Sequence, residues 1–147
     1  MKNKRLILGL LLPVLIGLIA CNRVTAQQYD SAEDFRVAPL NGDREVSIIR
    51  YEGNKQRINI PPRIDGKPVV EIGDEAFQRR EIISVTIPNS VTTIGREAFA
   101  GNQLTSVTIG ANVEIDRRAF DDFDNFYNSQ GRRAGTYTLS NGSWSVR

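Results

Sequence analysis

Apolar and polar residues alternate in short runs that recur along the middle of the chain. In Ser84-Val85-Thr86-Ile87 and Ser106-Val107-Thr108-Ile109 every second residue is aliphatic, the period of a strand with one face turned inward. Pro88 follows the first run and stops its ladder, because proline has no N–H to donate. Further on, Val91 and Ile94 supply a second inward contact, Gly95 permits a tight turn, and Glu97-Ala98-Phe99 fits a helical turn that ends in a core phenylalanine.

Sliding the chain along itself shows a period near 22 residues. A shift of 22 carries Val85 to Val107 and Ile87 to Ile109, whereas Phe99 and Phe120 are 21 apart, so the third copy is one residue short. A first copy runs through Ile58-Asn59-Ile60-Pro61, Ile72-Gly73 and Ala76-Phe77, with five extra residues read as a loop around Asp65-Gly66-Lys67-Pro68. No such unit can bury its apolar edge alone, so stacking must create the core.

These residues resemble the BspA-like leucine-rich-repeat family of bacterial surface proteins, whose units follow L-x-x-V-x-I-P-x-x-V-x-x-I-G-x-x-A-F. The resemblance covers Ile58 to Phe120 and is closest in the second copy. The third copy departs from it, with Gly110 in place of the proline and Asp116 in place of the glycine, as befits a terminal repeat. The resemblance implies an α/β repeat fold: a short leucine-rich-repeat-type solenoid with parallel strands on its concave side. It also implies adhesion to host or extracellular components and brings no catalytic residues.

The flanks read as caps. Phe35-Arg36-Val37 and Val46-Ser47-Ile48 surround the turn signal Asn41-Gly42-Asp43, which predicts a hairpin within residues 34–57 that seals the first repeat. Residues 121–147 concentrate Phe123, Phe126, Tyr127, Tyr137 and Trp144. There Thr136–Leu139 and Ser143–Val146 predict a second hairpin, with Asn141-Gly142 at its turn. This aromatic mass is read as a C-terminal cap over the open solenoid edge rather than as a sugar platform. The expected organisation is thus three repeats over residues 58–120 between β-hairpin caps at both ends.

Ahead of the caps, residues 1–20 read as a secretory signal: Lys2, Lys4 and Arg5 precede an apolar stretch from Leu6 to Ala20, short for a spanning helix of about 20 residues. Leu18-Ile19-Ala20-Cys21 resembles a bacterial lipobox. On that reading Cys21 becomes the lipidated amino terminus and residues 21–33 form a tether to the membrane. Val24-Thr25-Ala26 offers a rival cut by ordinary signal peptidase, which would leave a secreted protein.

Charge changes the picture only by exclusion. The formal net charge is +2, but three of the 19 basic residues lie in the leader, which leaves 16 basic against 17 acidic residues after export. That balance gives no basis for nucleic-acid binding, and the pairs Arg79-Arg80, Arg117-Arg118 and Arg132-Arg133 read as solvated faces. The chain has no histidine and one cysteine, which removes the usual general base, the Ser-His and Cys-His pairs and the commonest zinc ligand. Asp121-Asp122-Phe123-Asp124-Asn125 puts Phe126 and Tyr127 where a calcium loop needs an oxygen ligand and a glycine, so it reads as a turn. No cofactor, metal or enzymatic role is expected.

What remains is binding. Aligning the copies sets Arg57, Ser84 and Ser106 in one row and Asn59, Thr86 and Thr108 in the next, a small polar face suited to an extracellular protein or glycan and equally to plain solvent contact. The competing reading is a structural envelope component that stacks through its repeat ends.

Overall fold

Strand alternation in each copy builds one rung of a coil, and the 22-residue spacing sets equivalent rungs side by side. A computed structural model of the chain describes residues 28–147. The leader over residues 1–20 and Cys21 lie outside the described residues. In chain order the strands are β1 (Phe35–Leu40), β2 (Glu45–Tyr51), β3 (Arg57–Asn59), β4 (Arg63–Ile64), β5 (Lys67–Ile72), β6 (Ser84–Thr86), β7 (Thr93–Ile94), β8 (Ser106–Ile109) and β9 (Glu114–Ile115). A helix, α1 (Phe123–Ser129), and the strands β10 (Gly135–Ser140) and β11 (Ser143–Val146) follow.

Two sheets result, ordered β1-β2-β5-β7-β9 and β11-β10-β8-β6-β3, with β4 paired to β5 off the first path. Within each sheet the strands of successive turns pair in parallel: β3 with β6, β6 with β8, β5 with β7, and β7 with β9. Each turn therefore gives one strand to each sheet, and the fold is the expected parallel-stranded solenoid. The hairpins extend different sheets. Antiparallel β1-β2 joins the first sheet where β2 runs parallel to β5, and antiparallel β10-β11 joins the second where β10 lies against β8.

The core is the space between the sheets. Val85, Ile87, Val91, Ile94, Ala98 and Phe99 are buried, as are Val107, Ile109, Val113, Ala119 and Phe120 one turn on. Burying a side chain of this size stabilises by about 1.5–3 kcal/mol, which no single turn accumulates in quantity but a stack does. An aromatic column closes one side: Tyr51 and Phe77 are stacked at 5.4 Å, Phe77 and Phe99 at 4.8 Å, and Phe99 and Phe120 at 4.7 Å. It ends on Phe123, which meets Phe120, Tyr137 and Trp144 edge to face at 5.0, 5.2 and 5.1 Å.

Four local expectations are corrected. The segment Gly95-Arg96-Glu97-Ala98 is a β-turn closed by the Ala98 N–H on the Gly95 carbonyl at 3.3 Å, with Glu97 left-handed at φ 53°, so it is not helical. Glu75 (φ 57°) and Arg118 (φ 59°) repeat it, and the third copy keeps the turn although Asp116 replaces the glycine. Among the described residues the α-helix is confined to the C-terminal cap, where α1 departs from the expectation, and a single 3-10 turn, Ala32–Asp34, precedes β1. Nor is Gly95 needed for its dihedrals: a Cβ there would lie 2.5 Å from Asp74 Oδ1 and 2.7 Å from the Asp74 backbone nitrogen, so close approach of neighbouring turns demands glycine. Finally, the insertion in the first copy is no open loop but the β4-β5 hairpin, pairing Ile64 with Lys67 across Asp65 (φ 51°) and Gly66 (φ 76°).

Candidate ligand-binding face

The two polar rows stand in register on the second sheet. Arg57 lies opposite Ser84 and Ser84 opposite Ser106, while Asn59, Thr86 and Thr108 line up two residues along each strand. Between the rows Ile58, Val85 and Val107 point into the core, so the outward positions have no apolar partner to cover them. β10 adds a fourth rung that sequence alignment of the copies did not supply: Thr136 faces Thr108, and Thr138 faces Ser106. The Thr108 and Thr136 hydroxyls are 3.0 Å apart. The signal for this rung was the Thr136-Tyr137-Thr138 alternation, in which Tyr137 takes the buried place that Val107 holds next door.

At the other side of the sheet the edge of β3 is already occupied. The Asp30 N–H donates to the Asn59 carbonyl at 2.9 Å, and Asp30 Oδ2 accepts the Asn59 N–H at 2.7 Å. Asn59 Nδ2 donates to the Gln28 carbonyl at 2.8 Å, and Lys55 Nζ reaches Asp30 Oδ1 at 2.6 Å. That hydrogen bond to Asp30 raises the Lys55 pKa above its ordinary value. Residues 28–30, within the stretch read as tether, thus act as a fastened partial strand beside the polar face. Between its fasteners Tyr29 projects outward, 42% exposed. Among the described residues Asn59 Oδ1 and Trp144 Nε1 are the buried side-chain polar atoms without a partner.

The opposite sheet presents a different surface. Its outward column runs Glu71, Thr93, Glu114 in register, continued by buried Ser47, whose Oγ donates to Glu71 Oε1 at 2.8 Å. One face is acidic in part, the other neutral along the threonine row.

Asn102 is a structural residue that the repeat pattern hid. Its Oδ1 accepts the Arg80 and Ile82 N–H groups at 2.9 and 3.1 Å, and its Nδ2 donates to the Phe77 and Phe99 carbonyls at 2.8 and 2.6 Å. In the cap, Tyr127 Oη donates to the Gly110 carbonyl at 2.7 Å and accepts the Val113 N–H at 3.2 Å, tying α1 to the last turn; burial raises its pKa. The Asp121 carboxylate accepts the Gly101 N–H at 3.1 Å, tying the cap to the preceding turn.

Residues 51–134 match the BspA-type leucine-rich repeat region, in six copies, over more than half of the chain. The chain belongs to the BspA-type leucine-rich-repeat family. The family match starts at Tyr51, seven residues before Ile58, where the structure sets Tyr51 as the first rung of the stacked column. Among solved structures, a leucine-rich cell surface protein from Faecalibacterium prausnitzii A2-165 is 34% identical with a TM-score of 0.54, over 63% of this chain and 27% of that one. A T. pallidum leucine-rich repeat protein is 33% identical with a TM-score of 0.48, over 49% of this chain and 34% of that one. A leucine-rich repeat protein from Bacteroides capillosus ATCC 29799 is 25% identical with a TM-score of 0.48, over 58% of this chain and 85% of that one. The matched region therefore spans about a third or less of the first two relatives. No curated protein matches the chain.

Proposed function

We propose that the protein is an exported, lipid-anchored surface module that binds an extracellular protein or glycan through the second sheet and performs no catalysis. The observation that carries this reading is the neutral row of half-buried Thr86 and Thr108 and exposed Thr136, held in register on the outward side of the second sheet by a rigid stack, with Asn59 closing its end beneath residues 28–30. Short hydroxyl and amide side chains lose little entropy on binding and present both donors and acceptors. Function resides in such a surface mosaic rather than in the solenoid itself. The cell surface protein from F. prausnitzii, similar over 63% of this chain, supports a surface location. The lipobox-like Leu18 to Cys21 supports an anchor.

A pull-down from extracellular-matrix and bacterial-surface fractions, run in parallel with wild type and Thr86→Lys/Thr108→Lys, tests the face. Wild type should retain a discrete partner that the double variant releases, with equal melting temperatures. Equal retention by wild type and the double variant would move the site elsewhere. Metabolic palmitate labelling tests the anchor: label on Cys21 is expected, and a mature chain beginning at Gln27 overturns it.

A further inference from the structure

We propose that the cleft between Tyr29 and the Thr86–Thr108 rungs is a binding site for one ring of a neutral saccharide, with Tyr29 as its stacking plate. The inference rests on the second sheet being the binding face and names the class of ligand it takes.

The cleft measures about 340 Å³ and is lined by Tyr29, Thr86, Pro88, Asn89, Ser90 and Thr108 with Ile60, Pro62 and Ile87. Ligand pockets run ~300–1,000 Å³, so this one suits a single ring rather than a long peptide. A pyranose has an apolar C–H face and a rim of hydroxyls, each of which is both donor and acceptor. The lining matches both halves. Tyr29, Pro88 and Pro62 supply flat apolar surface, and the electron-rich face of an aromatic ring attracts polarised C–H groups. Thr86, Thr108, Ser90 and Asn89 supply groups that can donate and accept.

Two further observations narrow the class. No lining residue carries a formal charge, and Asp30, next to Tyr29 in the chain, is already paired with Lys55 at 2.6 Å. An anionic sugar or acidic peptide would find no cation to pair with its charge. Strand addition by an extended peptide is obstructed beside this cleft because Asp30 already takes both the N–H and the carbonyl of Asn59 at the edge of β3.

The plate is also pre-organised. Tyr29 is flanked by the Gln28 carbonyl, held by Asn59 Nδ2, and by Asp30, held by both the Asn59 backbone and Lys55. Fixing a contact residue before binding removes an ordering cost that the ligand would otherwise meet. Asp30 is accordingly a positioning residue for Tyr29.

The test is an array of immobilised neutral oligosaccharides, with sialylated and sulfated oligosaccharides beside them, probed with the full mature protein and with Tyr29→Phe, Tyr29→Ala and Thr86→Lys/Thr108→Lys. Wild type should bind neutral members. Tyr29→Ala should bind them at least about tenfold more weakly, while Tyr29→Phe, which keeps the ring, stays within about threefold. Melting temperatures should agree across the set, since Tyr29 is exposed. The inference is overturned if no neutral member binds, if only charged members bind, or if Tyr29→Ala binds as wild type does. Should the pull-down still yield a partner released by Thr86→Lys/Thr108→Lys, the saccharide inference alone has failed. A partner indifferent to that variant sinks the binding-face reading as well.

Discussion

The rings of Phe99 and Phe120 lie 4.7 Å apart with their planes 9° from parallel, although the two residues are separated by 21 positions rather than 22. The missing residue is absorbed earlier in the turn. Val91 and Val113 still differ by 22, but Thr93 pairs with Glu114 and Ile94 with Ile115, so the contraction falls opposite Thr92, before the second strand. The aromatic column consequently stays in register through the irregular last turn.

Phe99, at the centre of that column, is expected to be the most sensitive core position. Phe99→Ala removes contacts to both neighbours and should cost about 3–5 kcal/mol, a large share of the stability of a domain with ~5–15 kcal/mol in total. Urea unfolding monitored by circular dichroism measures it. A loss below about 1 kcal/mol would be incompatible with a continuous stack.

Asn102 joins two turns through four hydrogen bonds, so truncating it strands backbone groups of both. Asn102→Ala is expected to destabilise by about 2–4 kcal/mol. Asn102→Asp keeps the two acceptor bonds, loses the two donated ones, and should fall between. Equal midpoints for all three proteins would show that solvent replaces these bonds at no cost.

At Gly95 the prediction separates close approach from backbone freedom. Gly95→Ala should destabilise by about 1–3 kcal/mol because its methyl meets the Asp74 backbone. Asp74→Ala leaves the clash with the Asp74 nitrogen in place and should not rescue it. Thermal melts of the single and double variants decide this, and full rescue would place the strain in the Asp74 side chain alone.

Asp124 makes stability depend on pH. Its carboxyl is pushed up to about 6 by desolvation, offset in part by the Phe120 N–H that donates to it at 3.0 Å. The unfolded value is about 3.9, so the folded chain binds the proton more tightly. The resulting stabilisation is full below about pH 4 and disappears as pH rises through about 6. Asp124→Asn keeps the acceptor and removes the titration, so its melting temperature should gain on wild type between pH 4 and pH 7. A constant difference across that interval would mean that the group titrates normally.

How much of this was legible in sequence follows from what the repeat period can carry. Val85, Ile87, Val91, Ile94 and Phe99 recur, and their burial follows from alternation and spacing alone. The two hairpins were announced by Asn41-Gly42 and Asn141-Gly142, both left-handed in the structure as such turns require. Position-specific features were silent. Asn102 has Arg80 as its counterpart one turn earlier, so no recurrence marks it, and Thr136 enters the polar row from an antiparallel strand that copy alignment cannot reach. Nothing periodic precedes residue 34, so the pattern marks Tyr29 only as tether; Asp30 bridging Lys55 and Asn59 reveals that it is held. At Glu97 the local preference of Glu and Ala points to helix, whereas the next layer, through the Phe99 N–H on the Ala119 carbonyl at 2.7 Å, takes the hydrogen bonds a helix would keep for itself.

The claim that the second sheet is the working surface is tested most directly by placing one charge on each sheet in turn. Thr86→Lys and Thr93→Lys introduce the same side chain at outward strand positions on opposite faces. Affinity for the partner retained in the pull-down, measured by surface plasmon resonance, should fall at least about tenfold for Thr86→Lys, a change of ~1.4 kcal/mol, and remain at the wild-type value for Thr93→Lys. Undiminished affinity in Thr86→Lys with loss in Thr93→Lys would assign binding to the opposite sheet and contradict the account.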